Sequence, residues 1–183
     1  MGSIREQDEK KRLQALYQYN LLDTPPDGSF DKMTRLACKI FNLPIAIITL
    51  VDEDRIWFKS KYGIDVDQID RDPGLCSSAI LSDDIYLVED ARIDPRTISN
   101  PLVAGSFGLQ FYAAAPLRTL DGCNLGTFCV IDKKKRFFNT EQKETLRLFA
   151  EIIMENVELR LAAHNVLNEM KDKLAKYEKK ESA

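Results

Sequence analysis

The sequence predicts an α+β domain: a central antiparallel sheet with helices against one face, ending in a long helix. Three observations lead there. Asp121-Gly122 stands between two apolar runs, Tyr112–Leu117 and Leu125–Ile131. Asp-Gly between such runs is the strongest short-range hairpin signal, because glycine supplies the positive φ that a tight turn demands. Both runs are apolar on both faces or nearly so, which suits the centre of a sheet covered by helices on one side and by something else on the other. From Thr140 to about Glu178 there is no proline or glycine, so nothing breaks a helix of about 40 residues, roughly 60 Å long.

The 183 residues allow one domain with a sizeable core and an appendage. A net charge of −3 gives no general attraction to nucleic acid or anionic lipid. The short basic run Lys133–Arg136 reads as a solvated turn. No apolar run reaches the length of a membrane span. The segment MGSIREQDEKKR lacks an apolar signal region, so a cytoplasmic location is expected. The four cysteines, Cys38, Cys76, Cys123 and Cys129, show no C-x-x-C spacing and read as reduced thiols, Cys38 and Cys129 as small core residues. A single histidine, His164, excludes most zinc and catalytic-dyad schemes.

In chain order, Ile4 to Leu22 carries a helical period with Leu13, Leu16, Tyr17 and Leu21 on one side. Pro25-Pro26-Asp27-Gly28 stops it. Asp27 or Ser29 can cap a second helix, Phe30–Phe41, with Phe30, Met33, Leu36, Ala37, Ile40 and Phe41 as its apolar face. Ile45–Val51 is a buried strand by its β-branched density. Arg55–Tyr62 returns beside it, Ile56, Phe58 and Ser60 alternating with Trp57, Lys59 and Lys61. Ile64–Gly74 reads as a loop, Leu75–Leu81 as a short helix or turn, and Ile85–Val88 as a third strand. Glu89–Gly108 is a long connection of the kind that forms lids and binding loops. The central hairpin follows. Its link from Leu117 to Leu125 exceeds two residues, so it carries a bulge or a short loop.

Asn139 and Gln142 resemble a capping box at the start of the long helix. Along it, Leu146, Phe149, Ile153, Asn156, Arg160, Ala163, Leu167, Met170, Leu174 and Tyr177 follow steps of three and four, the period of a heptad seam. The first part can cover the sheet. The last part runs past the globule, where an amphipathic helix has nothing of its own to bury against. The dimer seam is assigned to Leu146, Phe149, Ile153, Asn156, Leu167, Met170 and Leu174. Asn156 and Arg160 would be polar register positions. A solvated helix is the alternative.

Four phrases carry a family resemblance: LLDTPPDGSFD at Leu21–Asp31, PIAIITLVDEDRIWFKS at Pro44–Ser60, VEDARIDPRTISNPLV at Val88–Val103 and FYAAAPLRTLDGCNLGTFCVID at Phe111–Asp132. Together they resemble the GAF domain, a small-molecule-binding sensory module, in its bacterial signalling subset, found alone or ahead of histidine-kinase, cyclase or phosphodiesterase domains. The resemblance implies a GAF/PAS-like antiparallel sheet with helices on one face and a ligand cavity on the other, walled by the long loop and the short helix. It divides the chain into an N-terminal helix at 1–24, a GAF domain at 25–160 and a coiled-coil extension at 161–183. It also implies a homodimer through the N- and C-terminal helices, an unidentified small-molecule ligand, and an output domain or a partner kinase or cyclase. Nucleic acid and membrane are not among the expected partners.

Ligand classes can be weighed on residues. Bilin-binding members use a Cys-His pair in or near the long loop, which here has neither, and this argues against bilin. Haem needs an axial ligand, and His164 lies beyond the sheet. Cyclic-nucleotide members resemble an Asn-Lys-Phe-Asp-Glu set, which is absent, although Asn100 stands in a comparable loop. Free methionine sulfoxide reductases have several cysteines near the cavity. Gly74-Leu75-Cys76 matches one of these positions and the loop cysteines do not appear, so no catalytic residue is assigned. Trp57 stacks on a flat ligand or closes the sheet edge. Arg92 and Arg96 clamp an anion or pair with Asp90 and Asp94. Ser77 and Ser78 offer hydroxyls at a short helix start. The resemblance places Cys76, Ser77, Ser78, Asp90, Tyr112 and Thr127 near the pocket. The expected function is a sensory module that relays occupancy through a dimeric helix. The alternatives are a ligand-free dimerisation spacer and, third, a reductase acting through Cys76.

Overall fold

The structure is a computed structural model that describes residues 6–181, with side chains described through Ala175. Helix α1 (Glu6–Gln18) leads into α2 (Gly28–Phe41), whose N-cap Asp27 accepts from the Ser29 amide and whose C-cap Asn42 is left-handed. Strands β1 (Ile45–Val51) and β2 (Arg55–Tyr62) follow. Next come β3 (Gln68–Asp70), the short α3 (Leu75–Ala79) and β4 (Tyr86–Val88). The long connection holds a further helical turn, α4 (Pro101–Ala104). The central hairpin is β5 (Phe111–Arg118) and β6 (Asn124–Asp132), and α5 (Thr140–Glu181) closes the chain.

The six strands form one antiparallel sheet in the order β3-β2-β1-β6-β5-β4. All of β1 and β6 is buried on both faces, as the double apolar patterning requires. Ala46, Ile48, Leu50, Phe128 and Val130 point into a core shared with α1, α2 and α5. Ile45, Ile47, Cys129 and Ile131 point the other way, into a second core beneath α3 and the long connection. Each fully buried Phe or Leu contributes about 1.5–3 kcal/mol. The Asp121-Gly122 turn closes through Gly122 at φ +80°, with the Gly122 amide donating to the Thr119 carbonyl. A bulge falls between Leu117 and Arg118.

The structure departs from the sequence reading at several elements. Ile64–Gly74 is not all loop: Gln68–Asp70 pairs with β2 as an edge strand, too short and polar to show an alternation. On α2 the buried face is Phe30, Thr34, Ala37, Cys38 and Phe41, while Leu36 and Ile40 are exposed. Thr34 belongs inside because its hydroxyl meets Ser60 at 3.1 Å. Strict alternation in β2 fails at Lys59, where the register slips so that Ile48 faces Ser60 and Thr49 faces Phe58. This bulge puts Ser60 against Asp31 and Thr34 of α2 and sends the Lys59 Nζ to Thr24 and the Pro25 carbonyl.

The proposed dimer seam is corrected in its first half. Leu146, Phe149 and Ile153 are buried in the chain's own core, because the sheet takes the stripe that a partner helix would take. Asn156 donates to the Ile152 carbonyl of its own helix. Arg160 is ion-paired to Asp27 and donates to the Ser29 hydroxyl. Leu167, Met170 and Leu174 are exposed, as is His164. Tyr177 lies outside the described side chains. In α1, Leu16 is spent on the chain's own core rather than on a second copy, as is Leu21 just after it. No helix among the described residues is long and apolar enough to cross a membrane.

Candidate ligand-binding cavity

The sheet face away from the long helix carries a cavity of about 260 Å³. Its floor is Ile47 and Thr49 of β1, Phe58 of β2, Tyr112 of β5, and Cys129 and Ile131 of β6. Its walls are Ile64, Val66 and Ile69 before α3, Leu75 and Cys76 on α3, and Leu102, Phe107 and Leu109 from the long connection. Period-two patterning explains the floor, since residues two apart on a strand share a face. The walls stand where they do because the long connection is tied down. Asn100 caps α4 and also donates to the Pro73 carbonyl at 2.7 Å, and Leu109 donates its amide to Leu102.

No charged side chain lines this cavity among the described residues. Its polar groups gather at one point. The Thr49 and Thr127 hydroxyls meet at 2.9 Å, and the Tyr112 hydroxyl donates to the Cys76 Sγ at 3.2 Å. Burial pushes the Tyr112 hydroxyl well above its usual range. A space of this kind selects an uncharged, mostly apolar molecule with one polar group, because a buried charge without a partner costs several kcal/mol.

A larger cleft of about 730 Å³ opens on the outer side of the same wall, with Arg71, Ser77, Ser78, Arg96 and Asn100 on its rim. Three of its polar side chains are held by partners within the chain. Ser77 donates to the Arg71 carbonyl, Arg71 to Glu9, and Arg96 to Asp94 and the Leu87 carbonyl. The apolar cavity on the sheet face, lined almost wholly by hydrophobic side chains with its few polar groups gathered together, is the candidate ligand site.

Of the residues expected near the ligand, Cys76 and Tyr112 line the cavity and Thr127 stands beside it through Thr49. Ser77, Ser78 and Asn100 line the outer cleft instead. Trp57 is on the opposite sheet face, in the core of the helical layer, with the Lys59 Nζ 5.8 Å from its ring. Asp90 and Arg92 pair with each other at 2.9 Å, the internal salt bridge rather than an anion clamp. The sequence reading missed the apolar floor and walls and, among the groups that can hydrogen-bond, Thr49 and Cys129. Thr49 had a signal: it is the one polar residue of IAIITLV, and a hydroxyl in a doubly buried strand needs a partner.

A GAF family model matches residues 25–157. The chain belongs to the GAF domain family. The fold agrees with solved GAF domains, such as the GAF region of a putative membrane protein from Geobacter sulfurreducens. That structure is 20% identical over 83% of this chain and 99% of its own, with a TM-score of 0.58. The free methionine-R-sulfoxide reductase of Neisseria meningitidis has the same fold at 17% identity, covering 86% of this chain and 94% of its own, TM-score 0.59. In sequence, this GAF domain is 38% identical over 152 residues to a cyclic di-GMP phosphodiesterase of Pseudomonas aeruginosa. The match covers 82% of this chain and 26% of that relative, so the chain spans about a quarter of its length.

Proposed function

We propose that this GAF domain is a sensory module of a bacterial signalling protein. Its cavity takes a small, uncharged, mostly apolar molecule, and occupancy is passed to α5 and through it to a second copy of the chain. The observation that carries this reading is the space of about 260 Å³ with apolar walls and a single polar point at Thr49, Tyr112 and Cys76. A spacer without a ligand would gain stability by filling that space, since empty volume beside Phe58 and Leu109 forfeits dispersion contacts. A regulatory rather than catalytic role is supported by the same walls. A free amino-acid sulfoxide carries an ammonium and a carboxylate, and the described lining offers neither charge a partner. The identity to a cyclic di-GMP phosphodiesterase supports an output of that kind downstream of α5.

Binding can bias α5 only by its differential affinity for two helix arrangements. Native mass spectrometry of freshly purified chain, followed by a thermal-shift screen, tests the ligand reading. The expected hits are neutral aromatic or aliphatic molecules bearing one hydroxyl or carbonyl, and a ligand that binds only the folded state raises Tm. Thr49→Val should weaken such hits by roughly tenfold, the worth of about one hydrogen bond. A screen in which only charged molecules raise Tm refutes the assignment.

A further inference from the structure

The basic run Lys133–Arg136 stands at one end of the sheet, just past β6, and the sensory reading leaves it unused. Its neighbours fix it in place. The Arg136 amide donates to the Glu89 carbonyl, and the Phe138 amide to the Glu89 carboxylate. Phe138 is buried in the core of the helical layer, whereas Phe137 beside it is 79% exposed. On the turn that begins at Asp90, directly after Glu89, Ile93 is 75% exposed. Lys133, Lys134 and Lys135 are all exposed, and the Lys133 Nζ lies 5.1 Å over the Phe107 ring. The acids here are already engaged: Asp132 with Arg136, Asp90 with Arg92, and Glu89 with the Phe138 amide. Among the described residues no ion pair holds any of the three lysines. The surface offered to solvent is therefore cationic, with two bulky apolar side chains standing out of it.

We propose that this end of the domain docks on an anionic phospholipid surface. This goes beyond the sensory reading and stands without it. The lysines attract the headgroups, and Phe137 and Ile93 enter the boundary between headgroups and acyl chains, where buried apolar area adds to the charge term. Lipid opens around single protruding side chains, whereas a folded partner would need a hollow for each. Nucleic acid offers phosphates to the lysines but nothing to an exposed Phe and Ile. The net charge of −3 describes the whole chain. At physiological ionic strength a charge is felt over about 8 Å, so the local patch decides. The course of α5 fits the same orientation. It starts at Thr140, beside the patch, and leaves the globule at the other end of β6, where Glu158 and Leu161 meet the Thr119–Asp121 turn. The rod thus runs away from the docked surface, and a second copy paired in parallel along α5 would turn its own patch to the same plane. Phe107 also lines the apolar cavity, so the docked face adjoins the site that takes apolar molecules.

The test sediments the full chain with vesicles of phosphatidylcholine alone, and of phosphatidylcholine and phosphatidylglycerol in equal parts, at low and at physiological salt. The expected result is co-sedimentation with the anionic vesicles only, weakened by salt. Replacing the lysines together, Lys133→Gln, Lys134→Gln and Lys135→Gln, should lower the partition coefficient roughly a hundredfold, and Phe137→Ser about tenfold. Neither the three lysines nor Phe137 belongs to either core, so these variants should unfold at the wild-type temperature. In a Phe137→Trp chain the added indole should be quenched by lipids brominated on their acyl chains, while the buried Trp57 of the wild-type chain should not. A wild-type chain that stays in the supernatant overturns the proposal. So does undiminished binding by the triple variant, or an indole at position 137 that the brominated lipids leave unquenched. Retention on DNA or on an acidic peptide without vesicle binding also overturns it, and makes the patch a contact for another polyanion. The thermal-shift screen for cavity ligands contains no vesicles, so the two readings fail separately.

Discussion

A Cβ added at Gly126 would lie 1.9 Å from the Thr49 carbonyl oxygen. No rotamer relieves a clash between Cβ and backbone, so β1 and β6 would have to separate where both are buried. Gly126→Ala is expected to destabilise the fold by about 2–4 kcal/mol, read as a lower urea midpoint at an unchanged slope. A midpoint at the wild-type value would mean that the two central strands are not packed as described. Glu9 carries a second residue-scale prediction. Burial raises its carboxyl, but hydrogen bonds from Arg12 and Arg71 outweigh this and hold it at about 2 against an ordinary 4.5. Arg160 and Ser29 likewise hold Asp27 down, against the effect of its burial. A depressed folded-state value means that the stabilisation is complete above the unfolded value and is lost as pH falls toward the folded one. Urea midpoints should therefore drop as pH goes from about 4.5 toward 2, and Glu9→Gln should flatten part of that slope. An unaltered slope removes Glu9 from the account. Such residues were only partly legible in the sequence. A lone threonine in IAIITLV or a glycine in a strand is visible there, whereas a Glu9–Arg71 bridge across 62 positions has no local signature.

Elements show the same division. The long helix could be read from the absence of breakers and from its capping box. The structure closes that box reciprocally: the Gln142 amide donates to the Asn139 Oδ1 at 2.8 Å, and the Asn139 amide to the Gln142 Oε1 at 3.0 Å. The central hairpin was equally legible, because Asp-Gly sets its turn. What patterning could not supply was the identity of each stripe's partner. A heptad period on α5 says that Leu146, Phe149 and Ile153 are buried, not whether a sheet or another helix buries them. The bulge at Lys59 was invisible for a related reason: inserting one residue leaves composition unchanged while shifting which side the next side chain takes. Where α5 leaves the globule it is held on two sides. The Tyr19 hydroxyl donates to Glu158 at 2.6 Å. On the other side Arg160 reaches Asp27 and Ser29 while its guanidinium lies 4.6 Å over the Phe30 ring. Arg160 is partly solvated, which discounts the ion pair, so Arg160→Ala should cost little global stability. Its expected signature is local: amide exchange around 157–163 accelerated a few-fold, with the β1 and β6 amides unchanged. Equal acceleration throughout the chain would mean that Arg160 supports the whole fold rather than the helix exit.

At the scale of the whole molecule, one sheet is the common wall of two compartments. Along β6, Phe128 and Val130 face the helical layer while Cys129 and Ile131 face the cavity side. In the proposed relay, a change in cavity occupancy would reach α5 through strands whose alternate residues touch both sides. Beyond that wall α5 continues as a rod. Every described side chain after Leu161 is exposed, and Leu167, Met170 and Leu174 are each more than half exposed, at 55%, 57% and 61%. They continue the stripe that the sheet takes up between Leu146 and Ile153. An apolar stripe of this period on a helix beyond its own globule is stabilised by a second helix of the same kind. A second copy supplies one with matching register, and closing the pair about a two-fold axis leaves no unpaired seam. Light scattering at tens of micromolar should then give twice the chain mass of 20.9 kDa. Replacing Leu167 and Met170 together by lysine should halve that mass while leaving the urea midpoint of the globule unchanged, because neither side chain contributes to its core. A wild-type chain that scatters as a monomer at that concentration eliminates the pairing and, with it, the route from cavity to second copy.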